Sequence, residues 1–193
     1  VYKRQQVEGC GRTIGAMAHL IIGCVASLGI LINAVFAKLL GYRIAPIFLI
    51  PLVWIAFALR RKLQMTPLAY GLLVLAILLH DLGAYGFYQH SPTPPISFDI
   101  YVHFYFAFAG AFVLHGALQH HLPWKPWQVM LATLLFVMGV GAIHEIMEFS
   151  TYFVLGEERG MLKTTGYRFD NERDLMSNLC GVIVALLLIC LLY

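Results

Sequence analysis

Four stretches of the sequence carry carboxylates and imidazoles at helical spacing. They are His80-Asp81, Asp99 with His103, His144-Glu145 with Glu148, and the run Asp170, Asp174 and Asn178. Asp99 and His103 are i,i+4, as are His144 and Glu148, while Glu145 and Glu148 are i,i+3, so each set projects from one face of a helix. Mixed imidazole and carboxylate donors on facing helices are how helical bundles assemble metal sites. Six carboxylates (Asp81, Asp99, Glu145, Glu148, Asp170, Asp174) gathered in one place repel. They must be partly protonated, paired with Arg168 and Arg173, or neutralised by a cation. A divalent metal ion does the last most simply, and the mixed donor set suits Zn, Mn or Fe better than Mg or Ca. The expected ligands are His80, Asp99, His103, His144, Glu145, Glu148, Asp170 and Asp174. Glu148, Glu145 and Asp174 are also the candidates for catalytic proton transfer.

The elements that must position these residues are membrane helices. Of 193 residues, 60% are hydrophobic and 12% charged, against about 45–50% and 25% in a soluble domain. Six apolar stretches, 13–37, 44–59, 67–88, 98–118, 127–155 and 174–193, approach the roughly 20 residues of a spanning helix. The stretch 44–59 is short and holds Pro46 and Pro51, so five spans are the alternative count. The predicted fold is a single all-α polytopic bundle, because helices satisfy their own backbone hydrogen bonds in lipid. Residues 13–37 read as a retained span rather than a cleaved signal, and the start at Val1, without a methionine, is what a fragment would show. Cys10, Cys24, Cys180 and Cys190 are scattered, which argues against a disulfide framework or a thiolate zinc site. Nothing in the charge pattern grips nucleic acid.

With six spans, nine of the ten acids, all but Glu8, fall at span ends on one side of the membrane. Burying a carboxylate there costs at least about 2.5 kcal/mol, so such residues face a bundle interior and have partners. Alternating helix direction brings the polar sets of the last four spans to a common depth. The 60–66 and 119–126 turns, with Arg60, Arg61, Lys62 and Lys125, share the opposite side with the N-terminus. The positive-inside rule makes that side cytoplasmic and puts both termini there. Trp124 and Trp127 read as interfacial anchors. His19 and His90 read as satisfied packing residues, and His115, His120 and His121 as solvated residues near the far end of the fourth span.

The residues Asp99-x3-His103-Phe104, Glu145-x2-Glu148 and Asp174-Leu175-x2-Asn178-x2-Gly181 resemble the pattern of VanZ-like integral membrane proteins. A neighbouring family of bacterial inner-membrane proteins typified by YjdF is more similar. That likeness adds His80-x2-Gly83-x-Tyr85, Phe98-Asp99 and Phe169-Asp170-x3-Asp174, and covers about residues 67–185. Typical VanZ-like sequences have Gln in place of Glu148, and Phe98 and Phe169 stand where the YjdF-like group has Tyr and Trp. The resemblance implies a multi-pass helical bundle in a bacterial inner membrane but no particular reaction.

Two functions compete. One is a metal-dependent hydrolase or transferase acting on a lipid or lipid-linked head group at the non-cytoplasmic surface. The other is a small proton- or cation-coupled transporter, or a lipid- or ion-binding protein, in which Asp, Glu and His chains carry the ion. No inverted repeat is visible, and a homo-oligomer would answer that objection. A purely structural network of hydrogen bonds and ion pairs is the third reading. No nucleophile motif or phosphate-cradling glycine loop is present.

Overall fold

The computed structural model describes residues 2–39, 47, 49–88, 96–155 and 170–192, with side chains at 14–36, 47, 49–83, 86–88, 96–150, 154 and 171–191. Among the described residues six α-helices follow in order: α1 (Tyr2–Leu39), α2 (Leu49–Leu59), α3 (Pro67–Leu82), α4 (Phe98–His121), α5 (Pro126–Leu155) and α6 (Asp170–Leu192). Their starts follow from local chemistry. Thr66 caps α3 by accepting from the Ala69 amide at 3.1 Å, with Pro67 in the first turn where its missing N–H is no loss. Ser97 accepts from the Asp99 amide at the head of α4. At the head of α5, the Gln128 side chain reaches back to accept from the Lys125 amide at 2.9 Å.

Among the described residues four segments are long and apolar enough to cross a membrane: Ile14–Phe36, Phe98–His121, Pro126–Ser150 and Asn171–Leu191. Of the expected span 44–59 the described residues show one helix. Its described helix has 11 residues, about 16 Å long against a hydrocarbon core of about 30 Å. Pro51 does not break it, because it sits in the first turn. Positions 44–46 and 48 lie outside the described residues. The expected span 67–88 is also divided. Its α-helix stops at Leu82 and continues as a π-helical turn over Gly83–Phe87, kinked at Gly86, whose φ of 139° only glycine adopts readily.

The helices form two packed groups joined through α4. α1, α2 and α3 surround a core of Ile30, Val53, Tyr70, Val74 and Ile77, against which Phe106 and Val113 of α4 rest. α4, α5 and α6 enclose Ala111, Val182, Ala185, Leu186 and Ile189. Lipid tails are as apolar as leucine, so association inside a bilayer depends on close packing of small residues. That is what Ala107, Ala111, Gly181 and Ala185 allow between α4 and α6. The large exposed side chains, such as Leu135, Val140 and Leu187, clothe the outside.

The basic turns adjoin as expected. His121 Nε2–H donates to the Lys62 carbonyl at 2.6 Å, placing the 60–66 and 119–126 turns on one side of the bundle. Trp124 and Trp127 are exposed beside them.

Candidate functional site

The site lies beside two close approaches among α4, α5 and α6. A Cβ on Gly181 would collide with the Phe104 carbonyl of α4, and one on Gly141 of α5 would stand 2.6 Å from the Asn178 amide of α6. Only hydrogen fits at both points. Ser177 of α6 donates to the Ile100 carbonyl of α4 and holds their register. One consequence is that Asp174 is carried to the depth of Asp99 and His103.

His103 is the hub. Its Nε2 stands 3.7 Å from Asp99 Oδ1 and 3.9 Å from Asp174 Oδ2, and its Nδ1 stands 3.5 Å from Glu145 Oε1. The side chains of His103, Glu145 and Asp174 are 7%, 5% and 3% exposed, whereas Asp99 is 30% exposed and forms the opening. One donor atom each from Asp99, His103 and Asp174 lies within 4.8 Å of the other two, an arrangement able to hold a metal ion. Donors around a four-coordinate ion with bonds of about 2.0–2.2 Å stand roughly 3.3–3.6 Å apart. The two separations from His103 Nε2 are a few tenths of an ångström wider and exceed the 2.7–3.2 Å of a direct N–H···O hydrogen bond.

Beside the hub, His144 Nε2 and Glu148 Oε1 pair at 3.3 Å, with 41% and 18% of their side chains exposed. The His144 ring centre is 5.6 Å from that of His103. His80 lies at the edge, its Nδ1 hydrogen-bonded to the Tyr88 hydroxyl at 2.6 Å and its ring 6.4 Å from Phe106. It feels the charges of His144 and Glu148 without joining the three-residue group. Asp170 opens α6, so the ladder through Asp174 and Asn178 exists, but its side chain lies outside the described residues.

Asp81 was expected among the gathered carboxylates and is not there. It points to α1, where Asn33 donates to its Oδ2 at 2.7 Å. The residue one step along a helix points about 100° away, so His80 and Asp81 cannot both face the cluster. His115 is also corrected, being buried among the helices rather than solvated; His120 and His121 are exposed. His19 is a packing residue as read, its ring nitrogens facing the Gly15 and Met65 carbonyls at 2.6 and 3.1 Å. His90, Arg168, Glu157 and Glu158 lie outside the described residues.

Two contributors were missed. Tyr88 folds back onto His80 because Gly83 leaves room: a Cβ there would occupy the Tyr88 ring. The signal was the pair Gly83 and Gly86 at the end of an apolar run. Asn33 was the lone amide in the apolar run 13–37, a visible sign that some other helix carries its partner.

Residues 15–193 match the family described as predicted membrane protein (DUF2238). The chain belongs to that family. The match takes in all four polar sets and every helix except the beginning of α1. DUF2238 is a membrane-protein family whose description assigns no function. No curated protein and no solved structure matches the chain.

Proposed function

We propose that this DUF2238 protein is a metal-dependent membrane enzyme, a hydrolase or transferase acting on a lipid or lipid-linked head group. The observation that carries the reading is the two-sided environment of His103. Its Nε2 faces Asp99 and Asp174, and its Nδ1 faces the buried Glu145. Metal-binding histidines commonly ligate through one nitrogen while a carboxylate on the other fixes the tautomer and raises basicity. On this reading Asp99, His103 and Asp174 are the ligands and Glu145 is the positioning carboxylate. The donor set fits Zn, Mn or Fe. Such an ion supplies Lewis acidity toward a phosphoryl or carbonyl oxygen and acidifies water.

The chain's own residues do the rest. Asp99, the exposed ligand, marks where substrate enters. Glu148, paired with His144 at 3.3 Å, would accept a proton as general base. His144 holds that carboxylate oriented. The VanZ-like and YjdF-like resemblance belongs to this proposal, as does a bacterial inner membrane with the 60–66 turn cytoplasmic. Elemental analysis of the detergent-purified protein tests the reading. A stoichiometric transition metal is expected, with affinity lowered about 10–100-fold in Glu145→Gln. Absence of any such metal after purification without chelators overturns it.

A second reading has one observation of its own. Asp81 Oδ1, on the side of α3 that faces α1, is buried with no hydrogen-bond partner among the described residues, and would serve as a second carboxylate station away from the cluster. Proton- or cation-coupled transport would use both. It predicts counter-ion flux in proteoliposomes that Asp81→Asn abolishes.

A further inference from the structure

The stretch Glu172-Arg173-Asp174-Leu175-Met176-Ser177 sorts its residues around α6. Asp174 turns inward to the cluster, while Arg173, Met176, Ser177 and Cys180 share the neighbouring face, spaced i, i+3, i+4 and i+7. On α4, Ile100, Tyr101 and Phe104 flank Asp99 and His103 in the same way. Together these side chains and Glu172 line a shallow, open groove on the outside of the α4–α6 seam.

Three features say what fits it. Its walls are bulky and apolar. Met176 and Tyr101 are 59% and 38% exposed within a segment apolar enough to span the membrane, so alkyl chains are the surrounding medium. Its mouth is at the first turn of α6 and carries one acid and one base at consecutive positions, Glu172 and Arg173, both exposed. That mouth shares the first turn of α4 with Asp99, the accessible member of the cluster. A second copy of the chain is a poorer occupant, because helices dock in lipid through small residues, and Phe104, Tyr101 and Met176 are large.

We propose that this groove binds a zwitterionic phospholipid of the phosphoethanolamine type. Its acyl chain lies along Ile100, Phe104, Met176 and Cys180, its phosphate meets Arg173, and its ammonium meets Glu172. The distance from Glu172 to Cys180 along α6 is about 12 Å, enough for the upper part of one chain. The head group then sits beside Asp99. The inference rests on the proposed function for the fate of that head group, not for its binding.

Photo-crosslinking of the full chain in nanodiscs tests this. The probes are phosphatidylethanolamine and phosphatidylglycerol carrying the same diazirine-labelled acyl chain, supplied at equal mole fraction, with adducts mapped by mass spectrometry. We expect adducts on Phe104, Met176 or Cys180, with phosphatidylethanolamine favoured about two- to fivefold, the range exposed ion pairs supply. Glu172→Gln should remove that preference, and Arg173→Gln should lower labelling by both lipids without removing it. Met176→Trp, which fills the groove, should abolish the adducts while the melting temperature and metal content stay unchanged. Equal labelling by both lipids, a preference for phosphatidylglycerol, or adducts undiminished in M176W overturns the inference. So do disulfide-linked dimers through Cys180 without lipid adducts, which would put a second copy in the groove. Loss of metal with labelling intact overturns the enzyme reading alone.

Discussion

The two halves of the bundle treat buried polar groups differently. In α1–α3 they pair across helices. Asn33 meets Asp81 at 2.7 Å, Trp54 donates to Ser27 at 3.0 Å, and the Tyr70 hydroxyl donates to the Val53 carbonyl at 3.2 Å. In α4–α6, three carboxylates converge on one imidazole at 3.5–3.9 Å. One-to-one pairs tie helices together, each contributing about 0.6 kcal/mol and at most about 1.7. Convergent carboxylates do the opposite, since their repulsion grows as the helices close, and a cation relieves it. An intramembrane acid is therefore not in itself a sign of chemistry. What matters is how many acids meet.

The sharpest test of that contrast replaces the hub. His103→Ala should lower metal affinity by more than the roughly 10–100-fold typical of losing an outer partner, while the bundle stays folded because the remaining acids take up protons. Metal content and melting in detergent, read on the same samples, check this. A large fall in melting temperature with metal content unchanged would erase the contrast and make the cluster a packing network.

Gly181→Val should come next. Its side chain meets the Phe104 carbonyl, and overpacking of this kind costs about 1–3 kcal/mol. Forcing α4 and α6 apart should lower stability and metal occupancy together. A variant that destabilises without releasing metal would show that the close approach is not what assembles the site.

On the paired side, Asn33→Ala leaves Asp81 buried without its amide, at a cost of about 1–2 kcal/mol. Stability should fall and metal content should not. A change in metal binding would mean that the two halves are coupled through α3. The smallest effect is expected for Ser27→Ala, which loses the Trp54 hydrogen bond and leaves the indole ring in place, about 0.6 kcal/mol; an effect several times larger would reveal a wider role for that pair.

Much of the fold was legible in the sequence because lipid imposes a simple rule. A helix that must satisfy its own backbone announces itself as an apolar run with polar ends, so the beginnings of α3, α4 and α5 fall within a residue of the expected spans. The exception is the stretch 44–59, whose described helix, Leu49–Leu59, is shorter than the four candidate spans. Asp99 and His103 were legible as a pair because i,i+4 spacing fixes a shared face before any tertiary contact forms. Tyr88 was not, since its return to His80 depends on a π-turn that no periodicity signals.

The sequence by itself determined a helical membrane protein with its acids concentrated at one end, because hydropathy and helical period are local properties. Only the tertiary structure decided which acids meet. Asp81 and Asp99 look alike as residues in apolar runs, yet Asp81 pairs with Asn33 and Asp99 joins His103. The physical reason is rotation. Period fixes a side chain's direction on its own helix, but which neighbour it faces depends on how the helices turn and how closely they approach. In lipid, small residues and polar partners set that approach, here through Gly141, Gly181 and the Ser177–Ile100 hydrogen bond.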